Sequence, residues 1–200
     1  MKKIFVIICA FCSLTVNAQT FKEFLSDVDY NLSVGLSWSQ CGKEYDNQKF
    51  GIAFGIDAQK PILHFPNESS TVYGLVGLHY DTKGGKNTNE FFESLENEDA
   101  TISASHLKIP LRAGFSYQFK KISLFVDMGP YLSMKLSDNG NEYVEMSSTE
   151  FGYGGTLGIK FKKFAFSMGV DNGLSNFATM KENDVKMKNT TSHMDFRWTF

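Results

Sequence analysis

The stretch His193-Met194-Asp195-Phe196-Arg197-Trp198-Thr199-Phe200 decides the fold. Met194, Phe196, Trp198 and Phe200 fall on one face of an extended chain; His193, Asp195, Arg197 and Thr199 fall on the other. Successive strand residues point to opposite faces, so a period of two describes a sheet with a different solvent on each side. Both faces are unusually pure here. A soluble barrel would hide the aromatic face inside, whereas a membrane barrel turns it outward and encloses the charges.

Toward the N-terminus the same alternation recurs. The expected strands run about Tyr30–Gln40, Gln48–Lys60, Thr71–Asp81, Thr101–Phe119, Ile122–Leu136, Phe151–Phe161, Phe164–Asn172 and Thr191–Phe200. Pro61 is expected to end the second, since proline cannot donate to a ladder. The third is the least regular, because Tyr73 and Leu75 put large apolar groups on the face opposite Val72, Val76, Leu78 and Tyr80. If Lys120-Lys121 and Lys162-Lys163 are turns, Phe119 pairs with Ile122 and Phe161 with Phe164, and the apolar faces of both hairpins coincide. A slip of one residue would swap the faces.

The connections alternate in length. The two Lys-Lys turns are minimal and Pro61 to Ser70 is moderate, while Cys41–Asn47, Thr82–Ala100, Ser137–Glu150 and Gly173–Thr190 are longer. Short turns at one end and long loops at the other characterise outer-membrane barrels, with the long loops outside the cell. The reading is therefore all-β: an eight-stranded antiparallel up-and-down transmembrane barrel with short periplasmic turns. Aromatic residues gather near strand ends, with Trp38, Phe50, Tyr80, Phe151 and Tyr153 toward the long loops. Tyr117, Phe119, Phe161, Phe164, Trp198 and Phe200 lie toward the short turns. Two such girdles match the headgroup zones of a bilayer.

The N-terminus agrees with export. Met1-Lys2-Lys3 precedes a stretch from Ile4 to Val16 without a charge, and Val16-Asn17-Ala18 offers a small residue before a cleavage point. Residues 1–18 are expected to be a cleaved signal peptide, 19–28 a short periplasmic lead, and 29–200 the barrel. Cys9 and Cys12 lack the small residues a lipoprotein signal needs and leave with that peptide. Cys41 remains, at an expected loop edge, as an inert thiol. The net charge of −2 and the absence of a basic stripe argue against nucleic acid. No apolar run after the signal is long enough for a spanning helix.

The polar face gathers Asp57, Lys108, Arg112, Asp127, Lys135, Lys160, Asp171, Asp195 and Arg197. In an eight-stranded barrel side chains fill the interior, so these charges are expected to pair as a structural network, Asp127 lying diagonal to Arg112. Ser105-His106 and Ser192-His193 cannot be hydrogen-bonded dyads, because neighbours on a strand point to opposite faces. His106 and His193 are read as satisfied interior histidines. No Cys/His spacing suggests zinc, and Gly152, Gly154, Gly155 and Gly158 are small residues of a packed wall rather than a phosphate loop. Catalytic, cofactor and metal residues are expected to be absent. The acidic stretch between Thr82 and Ala100, with Glu90, Glu93, Glu96, Glu98 and Asp99 around Phe91-Phe92, reads as a solvated loop.

Leu78-His79-Tyr80-Asp81-Thr82-Lys83-Gly84-Gly85, His106-Leu107-Lys108-Ile109-Pro110-Leu111, Gly173-Leu174-Ser175-Asn176 and the terminus Phe196–Phe200 together resemble the PorT-like outer-membrane β-barrel family. Asn172 stands where that family's pattern leads one to expect an aromatic. The resemblance implies an eight-stranded barrel and makes Trp198 and Phe200 similar to the C-terminal signal read by barrel-assembly machinery. Some members belong to secretion and gliding machinery. The expectation is thus a non-catalytic envelope structural or interaction protein, such as a secretion accessory or surface-binding platform. Its expected partners are outer-membrane lipid, the assembly machinery during biogenesis, and an extracellular or secretion-system protein met through the long loops. A lipid A-modifying enzyme, a narrow pore and a soluble lipocalin-like carrier are the rival readings.

Overall fold

The computed structural model describes residues 27–42, 45–66, 69–86, 101–139, 144–181 and 184–200. The expected signal peptide, nearly all of the lead segment and the acidic stretch from 87 to 100 lie outside the described residues. Eleven strands form: β1 Asp29–Cys41, β2 Tyr45–His64, β3 Ser70–Lys86, β4 Thr101–Phe119, β5 Ile122–Asp138, β6 Val144–Met146, β7 Thr149–Phe161, β8 Phe164–Gly173, β9 Ala178–Met180, β10 Val185–Met187 and β11 Asn189–Thr199. Eight of them close into a barrel in the order β1-β11-β8-β7-β5-β4-β3-β2. Every neighbouring pair is antiparallel, and the seam between β1 and β11 runs from Asn31↔Thr199 to Cys41↔Asn189. No helix among the described residues is long and apolar enough to cross a membrane.

The barrel is inside out relative to a soluble protein. Met128 and Leu157, facing outward, are each 65% exposed, while Asp57, Asp127 and Asp171 are each 1% exposed. Burying carboxylates while exposing a belt of aliphatics would be ruinous in water and is the stable arrangement in hydrocarbon.

The two minimal turns hold the expected register, Phe119↔Ile122 and Phe161↔Phe164. Lys120 and Lys162, first in each two-residue turn, sit at φ 56°. Primed hairpin turns require this sign at their first position, because it matches the twist of the flanking strands.

Several boundaries differ from the sequence reading. Pro61 does not end β2, which continues to His64 through a register shift between Pro61 and Leu63. That irregularity accommodates the missing donor. Tyr73 and Leu75 are 2% and 3% exposed inside the barrel, where they fill a lumen that must be packed by side chains. The β1–β2 connection is only Gly42 to Glu44, shorter than expected, and β3 runs on to Lys86. The segments expected as loops between Ser137 and Glu150 and between Gly173 and Thr190 contain β6, β9 and β10, which pair as a second sheet in the order β10-β9-β6. Three-residue strands are too short to show a period.

This small sheet sits at the long-loop end and has an apolar core of its own. Phe177, Ala178, Val144 and Met187 pack with Cys41, Ile102 and Ala104 of the barrel strands, flanked by Met146 and Met180. Cys41, the last residue of β1 and so at the edge of the loop as expected, is fully buried in that cluster.

Candidate functional site

The lumen is built by the inward parity of each strand. At its centre Arg112 of β4 donates from Nη1 to Asp127 Oδ1 of β5 at 3.1 Å and from Nη2 to Asp171 Oδ1 of β8 at 3.0 Å. It also donates to the Thr156 hydroxyl of β7. Four residues earlier on β4, Lys108 reaches the other oxygen of Asp171 at 2.6 Å and Asp81 of β3 at 3.2 Å. The Tyr73 hydroxyl donates to Asp127 Oδ2 at 3.2 Å, and Arg197 Nη1 lies 3.8 Å from the same oxygen. Asp171 is thus held by two cations from one strand and Asp127 by two from different strands. Charge-assisted bonds of this kind offset the desolvation that burial imposes.

Two His–Asp pairs complete the layer. His193 Nδ1 lies 2.6 Å from Asp195 Oδ2, with its Nε2 3.9 Å from Asp171, and His79 Nε2 lies 2.7 Å from Asp57 Oδ1. Neither His193 nor His106 has a hydroxyl hydrogen-bonded to its ring among the described residues. Ser105 points away from His106 and bonds the Tyr80 hydroxyl at 2.9 Å. The Thr71 hydroxyl lies 3.2 Å from His64 Nδ1 at the exposed short-turn mouth, and neither enclosed histidine has such a neighbour among the described residues. No group of His, Cys, Asp and Glu among the described residues is arranged to hold a metal ion.

Toward the long loops, next to Asp81, lies a further pair. Lys83 and Glu150 are 0% and 1% exposed and 3.1 Å apart. The Tyr131 hydroxyl donates to the other Glu150 oxygen at 2.5 Å, and the Lys83 ammonium stands 4.9 Å from the centre of the Tyr131 ring. Beyond it His106 lies tilted against Phe177, ring centres 5.4 Å apart. The apolar cluster under the small sheet then closes that end. The short-turn end instead opens into a cavity of about 350 Å³.

Of the residues expected in the lumen, Asp57, Lys108, Arg112, Asp127, Asp171, Asp195 and Arg197 are in it. Lys135 is not. It stands at the outer end of β5, where it bonds the Asp138 carboxylate and the Met146 carbonyl. A register shift opposite it, between Ser105 and His106, takes the inward parity past the enclosed section. Lys160 is at the open end, 4.0 Å from Asp29. Trp198 and Phe200 face outward, and Phe200 donates its N–H to the Tyr30 carbonyl at 3.0 Å. Asp81, Lys83, His79 and Glu150 are lumen residues the sequence reading did not gather. Continuing the parity of β3 beyond Asp81, and that of β7 back from Gly152, would have found Lys83 and Glu150.

A family model described as outer membrane protein beta-barrel domain matches residues 17–179. Among solved structures the chain is similar to Ail, the attachment invasion locus protein of Yersinia pestis, in complex with the heparin analogue sucrose octasulfate. The identity is 13%, covering 87% of this chain and 99% of that one, with a TM-score of 0.45. It is similar also to Neisserial surface protein A, at 9% identity, 86% and 97% coverage and a TM-score of 0.47. The outer membrane enzyme PagL matches at 14% identity, 85% and 98% coverage and a TM-score of 0.47. No curated protein matches the chain by sequence.

Proposed function

This chain belongs to the outer membrane β-barrel domain family and resides in the bacterial outer membrane, and from that premise we propose that it is a non-catalytic envelope barrel that acts as an interaction platform. The observation that carries this reading is the filled lumen. Buried ion pairs occupy its centre, and the Phe177–Met187 cluster covers its outer end, so neither a conduit nor a reactive cleft is offered. Among the described residues, the sheet of β6, β9 and β10 is presented to the outside, with Glu145 and Lys186 exposed on it. An ordered extra-membrane sheet is a better docking surface than a mobile loop, because less entropy is lost when a partner binds. The PorT-like resemblance is finer than the family named above. It supports a secretion accessory as the form this platform takes.

The test is crosslinking in intact cells from a photoreactive residue at Lys186, with Leu111 on the lipid-facing wall as the control. A discrete protein adduct from position 186, absent from position 111, is expected. Lipid adducts alone from both positions would refute the reading, as would steady unitary conductance of the purified barrel in a planar bilayer.

A further inference from the structure

We propose that the open, short-turn end of the barrel is a binding pocket for a small polyanion bearing carboxylate or phosphate groups and entering from the periplasm. The cavity there, about 350 Å³, draws residues from all eight barrel strands. That volume lies within the range of small-molecule sites.

Its charge is one-sided. Lys121, Lys160, Lys162 and Arg197 line it with the single carboxylate of Asp29, and of these cations Arg197 is already shared with Asp127 at 3.8 Å. Deeper in the lumen each of Lys83, Lys108 and Arg112 has a carboxylate within 3.2 Å. At the mouth the pairing lapses. Lys121 has no carboxylate within ion-pair distance among the described residues, whereas the Lys162 ammonium is drawn over the outward-facing Phe161 ring, 5.5 Å from its centre, and adds little to the mouth. Lys160 meets Asp29 only at 4.0 Å, with Asp29 half exposed. Such a surplus, inside a mouth walled by low-dielectric barrel and bilayer, focuses a positive potential along the entrance.

The same mouth holds polar groups in fixed positions. The Thr199 hydroxyl donates to Asn31 Oδ1 at 2.7 Å, and the Gln118 amide donates to the Lys120 carbonyl at 2.6 Å. Side chains tethered in this way lose little freedom when a ligand arrives, and they suit hydroxyls carried beside the anionic groups. The floor is closed. Tyr73 is bonded to Asp127, and Arg197 stands 5.4 Å from the Phe125 ring centre, so the ligand stops there and does not pass through.

The test uses the full barrel in phosphatidylcholine nanodiscs, where no anionic lipid competes, titrated calorimetrically with citrate, inorganic pyrophosphate or glucose. One of the two anions is expected to bind at a single site with a dissociation constant on the order of 0.1–1 mM at low salt. Binding should weaken several-fold as salt rises to about 0.3 M, and glucose should give no heat. Citrate over pyrophosphate would assign a carboxylate ligand, and the reverse a phosphate. K121Q/K160Q should weaken binding about tenfold, two screened charges' worth, while K188Q, at an exposed lysine of the far end, should change nothing. If the double variant does not fold, K121Q and K160Q are read singly, each with about a threefold loss. Absence of binding by both anions, binding indifferent to K121Q/K160Q, or an equal loss in K188Q would each overturn the proposal.

Discussion

Truncating Lys83 to methionine tests whether the lumen is dry. Lys83 and Glu150 are both fully enclosed at 3.1 Å. At an effective dielectric near 20, two unit charges at that distance attract by about 5 kcal/mol. Each ion lost several kcal/mol of hydration on burial, so the net value of the pair is small. The cost of breaking it is not small. In Lys83→Met, Glu150 keeps only the Tyr131 hydroxyl donor at 2.5 Å and becomes an uncompensated buried carboxylate. A loss of about 3–5 kcal/mol is expected for Lys83→Met, and a comparable loss for Glu150→Gln, which strands the ammonium. The double variant should recover most of this and lie within about 1–2 kcal/mol of the native barrel, since a methionine and an amide that still accepts from Tyr131 fill the same space. The assay is urea unfolding of the barrel in lipid vesicles, followed by the fluorescence of Trp38 and Trp198 and by the mobility difference between folded and unfolded chain on a gel. Single-variant losses below about 1 kcal/mol, or a double variant as unstable as the sum of the two, would refute a sealed lumen and mean that water hydrates the pair.

Three further outcomes follow from other parts of the molecule. Leu157, paired with Val126 and Met168 in the middle of the wall, should cost about 2–4 kcal/mol in the same unfolding assay when changed to Arg. Leu136, near the end of β5, should cost about 0–1 kcal/mol for the same change. Lys120 sits at φ 56°, a conformation that costs a side-chain-bearing residue about 1 kcal/mol. Lys120→Gly should therefore leave the unfolding midpoint unchanged or raise it, while Lys120→Val should lower it. Cys41 is wholly buried under Phe177, so the folded native barrel should resist a membrane-impermeant maleimide and Phe177→Ala should admit it. Equal labelling of both would mean that the outer cluster does not seal.

The parity of the wall was legible from the chain because a bilayer enforces it at every second residue, and Phe119–Ile122 fixed the hairpin register with no tertiary information. Most of the charged network was legible for the same reason: an ionised group on a strand in hydrocarbon has only the inside to face. The failures have three physical sources. The alternation that marks a strand lapses after Asp81, yet β3 continues to Lys86, which puts Lys83 in an expected loop. Tyr73 and Leu75 were counted against β3, although a narrow lumen needs bulky groups to fill it and Tyr73 braces Asp127. The sheet of β6, β9 and β10 could not be read, since its order is set by packing on Phe177 and Ile102 rather than by any local repeat.

The first and last strands of the wall meet along eleven paired positions, and the Thr199–Asn31 bond spans 168 residues of sequence. Until that union is made, β1 and β11 each offer a bare row of amides and carbonyls to a medium that cannot solvate them. Zipping the cylinder shut is therefore the committing event of its biogenesis, and it is the step at which an incomplete chain would be sorted from a finished one.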